Sequence, residues 1–227
     1  MILIDLQKAF DTINHAVLLE KLRCMHFSES VIAWFRSYLS NRSFRVIVNN
    51  KLSNSGNLRC GVPQGSILGP LLFLLYVNDM KQAVDCTLLL YADDSCLLFR
   101  HKDVKEIERV LNINFSKLCD WFVDNKLSVH FGEDKTKCIL FSSKIKASNA
   151  SPLNINYKGT PIKQYTSVKY LGCLLDNTLS GQSMGAYVVN KVNAKLKFLY
   201  RKQKFLSRPL RRMLCNALIQ PHFDYAC

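Results

Sequence analysis

Apolar and polar positions change period several times along the chain, and each change marks an element. Residues 1–6 form a short β-type run that carries one charge, Asp5, at its far end. The segment 11–14 offers N-cap side chains for a helix continuing to about Met25, with Leu18, Leu22 and Met25 on one face. A second helix over 28–39 buries Ile32, Phe35 and Leu39. Residues 44–48 alternate, Asn49 and Asn50 turn the chain, and 52–60 return as the partner arm. The densest Gly and Pro cluster, 61–70, then feeds 71–80, which is apolar nearly all round and reads as a buried helix with Pro70 in its first turn.

Residues 88–99 are two apolar arms that meet at Asp93 and Asp94, which predicts a strand, a tight turn and a second strand. Successive strand side chains point to opposite faces, so the two acids can converge on one ligand only because the chain reverses there. A solvated turn and a metal site both fit this stretch taken alone. Asp103 and Glu106 read as a capping box for a helix ending near Asn125, with Val104, Ile107, Leu111, Phe115, Leu118 and Phe122 at helical spacing. Residues 127–131 alternate as a strand, 132–134 break it, 138–141 form a further apolar run, and 142–152 are a polar loop. The segments 153–157 and 168–175, with a Lys158-Gly159 turn, predict more antiparallel strands. A helix over 184–205 buries Val188, Val192, Leu196 and Leu199 and lines up Lys191, Lys195 and Lys202 as a basic ridge.

Charge narrows the class of partner. Thirty-one Lys and Arg against 17 Asp and Glu give a formal charge of +14. Such an excess favours a polyanion, and nucleic acid ranks ahead of membrane because no basic amphipathic segment carries an aromatic apolar face. Residues 177–223 contain no Asp or Glu, which favours phosphate contact over a merely solvated face. Nine Cys without a CxxC pair argue for reduced, intracellular thiols and against a zinc module, with nucleus or cytoplasm undecided. No stretch has the length of a membrane span. The opening Met-Ile-Leu-Ile lacks a basic leader and reads as the body of a strand, which implies that the natural beginning lies upstream.

Asp5 at a strand end and Asp93 with Asp94 at a hairpin tip are three carboxylates that one sheet could bring together. Held that close they repel, and hard cations such as Mg²⁺ make sense of the arrangement. Two such ions about 3.5–4 Å apart clamp the attacking and leaving oxygens of an in-line phosphoryl transfer.

The segments 5–11 (Asp-Leu-Gln-Lys-Ala-Phe-Asp), 61–70 (Gly-Val-Pro-Gln-Gly-Ser-Ile-Leu-Gly-Pro) and 91–94 (Tyr-Ala-Asp-Asp), in this order, resemble the first three palm motifs of reverse transcriptases. The branch encoded by non-LTR (LINE-type) retrotransposons is closer still, through Asn14-His15, the 44–48 arm and 168–172 (Val-Lys-Tyr-Leu-Gly). The resemblance covers almost the whole chain. It implies that Asp5, Asp93 and Asp94 are the catalytic, metal-binding triad for two Mg²⁺ ions, with Mn²⁺ as a substitute. It makes Phe10 the bulky residue that crowds the sugar 2′ position, although a core aromatic is the alternative. Gln64, Gly65 and Tyr91 fall in the substrate-binding set, and the 61–70 loop lacks the Lys-Ser/Thr ending of an ATP-binding loop. Lys135 matches a lysine that protonates departing pyrophosphate, with an exposed strand lysine as the alternative. Tyr170, Leu171 and Gly172 match the primer-holding hairpin, while Lys191, Lys195 and Lys202 belong to the start of the thumb, facing template and primer. Asp11 is read as a helix cap and left outside the metal set.

The expected fold is α+β: a polymerase palm with a small antiparallel sheet backed by helices over 1–180, then a partial basic helical thumb over 181–227. The expected reaction is RNA-templated DNA synthesis, with an RNA template, a DNA primer, their RNA–DNA duplex and deoxynucleoside triphosphates as partners. The fingers that precede the first motif, the endonuclease and the remaining thumb of a parent polyprotein are expected outside these residues. Two rivals stand beside this reading. One is a catalytically dead remnant that only binds nucleic acid, and the other is an RNA-templated RNA polymerase or nucleotidyl cyclase on a similar palm.

Overall fold

A computed structural model describes residues 1–132, 134–145 and 151–225. The expected break at Glu133 and the middle of the 142–152 loop lie outside the described residues. The chain divides into two compact units, Met1–Cys138 with Leu153–Lys163, and Ile139–Pro152 with Gln164–Cys227.

In the first unit, β1 (Ile2–Ile4) leads to α1 (His15–Cys24) and α2 (Glu29–Leu39). Asn14, rather than Asp11, caps α1: its side-chain oxygen accepts from the Ala16 and Val17 amides at 3.0 and 3.1 Å. Ile32, Phe35 and Leu39 of α2 are buried, as their spacing predicts. A double ladder follows, in which β2 (Ser43–Phe44) pairs β5 (Gly56–Asn57) and β3 (Ile47–Val48) pairs β4 (Lys51–Leu52). Asn49 and Asn50 turn it with φ of 49° and 60°, the left-handed pair of a type I′ hairpin.

The apolar run at 71–80 is not buried all round. Helix α3 (Leu68–Val77) buries Leu72, Phe73, Tyr76 and Val77, whereas Leu71 and Leu74 are about half exposed, so hydrophobicity without a polar face does not specify which side is covered. A 3-10 turn (Asn78–Ala83) leads into β6 (Thr87–Tyr91), β7 (Asp94–Leu98), α4 (Val104–Asp124) and β8 (Lys137–Cys138). The sheet is antiparallel throughout, in the order β6-β7-β1-β8, and α4 packs its buried Ile107, Leu111, Phe115, Leu118 and Phe122 beneath it. Asp103 caps α4 as expected, but Glu106 pairs with Arg109, so there is no reciprocal box. Residues 127–131 make one isolated bridge, Leu6 to Val129, in place of the expected strand, because their backbone partners are the irregular continuation of β1. The expected 138–141 run is likewise β-structured only at its start. The hairpin of β9 (Ile155–Tyr157) and β10 (Thr160–Ile162) turns at Lys158 and Gly159 and completes this unit.

Behind the sheet a lysine is held among aromatic rings. The Lys21 ammonium donates to the Tyr76 carbonyl at 2.7 Å and to Asp79 at 2.5 Å, and lies 4.5 Å from the Trp121 ring centre. Burial pushes its pKa down, opposed by Asp79. Tyr76, fully buried, donates to the Asn125 carbonyl, and burial raises its phenol to about 12. The described cysteines are free thiols, and burial pushes Cys96 up to about 11 and Cys119 to about 12, which keeps both protonated.

The second unit contains a tight hairpin, β11 (Ser167–Tyr170) and β12 (Cys173–Asp176), then α5 (Gln182–Lys202), α6 (Arg208–Leu218) and α7 (Gln220–Asp224). In α5, Val192 and Leu199 are buried, but Leu196 is 45% exposed, contrary to its expected burial. Asp176 organises the entry to α5 by accepting from the amides of Thr178, Ser180 and Gly181 and from both hydroxyls of Thr178 and Ser180. These donors, the Ser180 amide foremost, hold its carboxyl well below the usual carboxylate range.

A depressed folded-state pKa contributes stability that is complete above the unfolded value, about 4, and is lost as pH falls below it. Asp176→Asn is therefore expected to lower the thermal midpoint at pH 7 and to flatten the acid side of the stability profile. Thermal unfolding between about pH 2 and 7 checks this.

Candidate active site

The acid-bearing end of the sheet follows from strand register. Ile2, Leu3 and Ile4 pair with Leu97, Cys96 and Ser95, so one further step sets Asp5 opposite Asp94, and Asp94 in turn pairs with Tyr91. Residues directly opposite share a face, which makes Tyr91, Asp94 and Asp5 a row across three strands. Asp93 lies beside this row in the two-residue turn. There Ala92 takes φ 51°, a left-handed position that a residue with a Cβ occupies only when its surroundings hold it.

Asp5 is gripped from its other side. Its carbonyl accepts from the His130 amide at 2.8 Å and its amide donates to Thr136 Oγ1 at 3.3 Å, while the buried Thr136 hydroxyl donates to the His130 carbonyl at 2.9 Å. The side chain meets two nitrogens at one oxygen, His130 Nδ1 at 3.3 Å and Lys135 Nζ at 3.6 Å from Oδ2. Lys135 thus reaches the predicted triad. His130 and Thr136 escape the motif-based reading. The 127–131 alternation marks His130 as part of a β-type segment but does not say what it pairs with, and Thr136 lies outside that segment.

The electrostatics agree with this grouping. Asp94 is open to solvent as a residue, yet partial burial of its carboxyl pushes its pKa up, and the charges of Asp93 and Asp5 push the same way. Among the described residues, no three His, Cys, Asp or Glu stand close enough together to enclose a metal ion. This donor set still fits Mg²⁺, which takes only one or two protein carboxylates and completes its octahedron with water and phosphate.

The 61–65 loop is stitched to the chain after Asp5. The Gly61 amide donates to the Ile13 carbonyl at 2.7 Å, the Val62 amide to Phe10 at 2.8 Å, and His15 Nε2 lies 2.8 Å from the Gly61 carbonyl. At Gly61, φ 84°, a Cβ would fall 2.7 Å from the Asp11 carbonyl oxygen, so only glycine allows this approach. Gln64 Nε2 donates to Asp11 Oδ1 at 2.8 Å, which gives Asp11 a role other than the expected helix cap. Gly65 faces open space, and the half-buried Phe10 ring stacks on Phe73 with centroids 4.6 Å apart.

In the second unit Leu171 and Gly172 are the two turn residues of the β11–β12 hairpin, with φ of 45° and 86°, and Tyr170 precedes them. The tip is partly covered: the Tyr225 hydroxyl donates to the Leu171 carbonyl, and its ring would lie 3.0 Å from a Cβ at Gly172. Lys191 and Lys202 are exposed and Lys195 is half-buried. Lys191 also sits 4.8 Å from the Tyr187 ring centre, and with Lys169 it lowers the Tyr187 pKa.

The profile of the family described as reverse transcriptase (RNA-dependent DNA polymerase) matches residues 1–175. The chain belongs to the reverse transcriptase family. This reverse transcriptase chain is 26% identical over 99% of its length to the probable RNA-directed DNA polymerase from transposon X-element of Drosophila melanogaster, covering 25% of that protein. It is 32% identical over 79% of its length to the probable RNA-directed DNA polymerase from transposon BS of the same fly, covering 20% of it. A Pol polyprotein from the type-1 retrotransposable element R1 2 of Nasonia vitripennis is 30% identical over 73% of the chain, which covers 42% of that relative. The chain therefore spans less than half the length of these relatives. All three come from mobile elements, in keeping with the LINE-type branch that the motifs resemble.

A carboxyl whose folded pKa is raised makes folding less favourable as pH climbs from the unfolded value, near 4, through the folded one. Asp94→Asn in this reverse transcriptase chain should accordingly raise the thermal midpoint at pH 7, with the gain vanishing below about pH 4. Thermal unfolding of both proteins across that range is the check, and an unchanged midpoint at pH 7 would argue against crowded carboxylates.

Proposed function

We propose that this chain is the palm and the beginning of the thumb of an RNA-directed DNA polymerase from a LINE-type retrotransposon. Residues 1–180 would form the palm and 181–227 the start of the thumb. The reaction is attack of a primer 3′-hydroxyl on the α-phosphate of a deoxynucleoside triphosphate, with pyrophosphate leaving. The observation that carries this reading is the cross-strand placement of Asp5 beside Asp94, with Asp93 in the adjoining turn.

In this reading Asp5, Asp93 and Asp94 hold divalent ions, two Mg²⁺ or Mn²⁺ in its place. When bound, such ions supply positive charge at the attacking and leaving oxygens. The protein groups do the rest. Asp5 is held by its backbone bonds to His130 and Thr136, so its carboxylate projects from a fixed strand end rather than a loose turn. Lys135, 3.6 Å from Asp5 Oδ2, is positioned to offset the carboxylate charge or to give a proton to departing pyrophosphate. Phe10, braced on Phe73, forms the wall against a ribose 2′-hydroxyl. Gln64, Gly65 and Tyr91 border the nucleotide. Tyr170, Leu171 and Gly172 steady the primer end, while Lys191, Lys195 and Lys202 follow the phosphates of the template–primer duplex.

A second reading, nucleic-acid binding without catalysis, draws support from the formal charge of +14 and the acid-free stretch 177–223, which favour a polyanion and require no metal site. Primer extension on an RNA template distinguishes the two, in this chain or a longer protein carrying it. Asp5→Asn and Asp93→Asn are each expected to cut incorporation by at least about a hundredfold while leaving duplex affinity nearly unchanged. Phe10→Ala should admit ribonucleotides. Incorporation equal to wild type in both aspartate variants would overturn the polymerase assignment, and salt-sensitive binding with no incorporation by the unaltered sequence would favour the second reading.

A further inference from the structure

A surface of the first unit that none of this chemistry uses carries a second recognition feature. After Glu29 at its start, helix α2 (Glu29–Leu39) and the β2–β5 hairpin (Ser43–Asn57) lie within the stretch 30–78, which contains no Asp or Glu but includes Arg36, Arg42, Arg45, Lys51 and Arg59. None of these five cations forms an ion pair among the described residues. On the outer face of α2, Trp34 is 55% exposed, and its ring lies nearly parallel to that of Tyr38, 9° apart with centroids separated by 5.7 Å. Arg42, one turn further on, sets its guanidinium 4.3 Å from the Tyr38 ring centre and donates from Nε to the Tyr38 carbonyl. The Arg42 carbonyl in turn accepts from the Leu58 amide at the base of the hairpin, so the stack is anchored to a second element. Beyond it the hairpin exposes Phe44 (49%), Ile47 (67%) and Val48 (63%) beside Arg45 and Lys51.

Exposed side chains of this kind call for a partner, and charge decides which. A second copy docked through the same face would set Arg42, Arg45 and Lys51 against their own counterparts. An acidic protein would satisfy the charges but would leave the parallel ring stack without a matching planar group. Nucleic acid in single-stranded form supplies both phosphates for the cations and unpaired bases for aromatic faces. We propose that the Trp34–Tyr38–Arg42 stack and the adjoining hairpin bind single-stranded nucleic acid, with one or two bases stacked on Trp34 and the backbone tracked by Arg42, Arg45 and Lys51. Binding here requires none of the three aspartates, so it stands or falls apart from the polymerase reading.

The test is a fluorescence titration of the 227-residue chain with oligothymidylate of roughly 12 nucleotides, within the site sizes of single-strand binders. Trp34 is the exposed reporter, while the chain's other tryptophan, Trp121, is half-buried against Lys21. The expected result is quenching that weakens steeply with salt, with affinity lowered about tenfold or more in Trp34→Ala and in Tyr38→Ala. Trp34→Phe should retain most of the affinity, which a merely electrostatic surface would not distinguish from alanine. Because Trp34→Ala and Trp34→Phe lack the reporter, the affinities of all variants are read by anisotropy of a labelled oligonucleotide. Asp93→Asn should leave binding unchanged, and thermal unfolding establishes that each variant is folded. Equal affinity in the wild type and both alanine variants would overturn the proposal. So would a concentration-dependent dimer in sedimentation that Trp34→Ala abolishes, since the face would then serve self-association.

Discussion

The antiparallel register of β1 against β7 is the constraint on which the site depends. Because side chains alternate with period two, a slip of one residue would turn Asp5 to the opposite face from Asp94 and send Leu3 and Ile4 out of their packing positions. What prevents the slip is apolar burial, with Ile2, Ile4, Cys96 and Leu97 nearly inaccessible and α4 covering the sheet. The hydrophobic interior thus opposes the mutual repulsion of carboxylates at the sheet's end. The raised Asp94 pKa and the left-handed Ala92 both show where the fold tolerates an unfavourable local arrangement.

Much of this was legible before any coordinates. The 88–99 hairpin could be read because two apolar arms surround residues that strands disfavour, and α4 because its period persists over five turns. Strand pairing across long separations was not legible from pattern. Nothing local announces that 128–136 runs beside Asp5, and hence that His130 and Thr136 share its surroundings. Period also failed where polarity gave no contrast: α3 is apolar on every side, so its open face at Leu71 and Leu74 could not be told from its buried one. Asp11 shows the reverse difficulty. Its residue type suits a cap, but Asn14 stands at the correct position and Asp11 turns to Gln64.

Charge is distributed unevenly with respect to this framework. The two acid-free stretches, 30–78 and 177–223, lie in different compact units, and the clustered acids Asp5, Asp93 and Asp94 all belong to the first. A chain that handles a polyanion needs cations to hold it and carboxylates only where hard cations are wanted. The same logic accounts for Lys21, whose ammonium is enclosed by Tyr76, Asp79 and Trp121 and serves packing rather than recognition.

Paramagnetic broadening by Mn²⁺, followed in amide spectra of the isotopically labelled chain, tests the central claim most directly. The account predicts that substoichiometric Mn²⁺ broadens the amides of Ile4, Asp5 and Leu6 together with those of Tyr91 to Ser95, and that Asp94→Asn weakens both sets at once. Broadening confined to one of the two strands, or spread over unrelated acids such as Asp79 and Asp120, would contradict it.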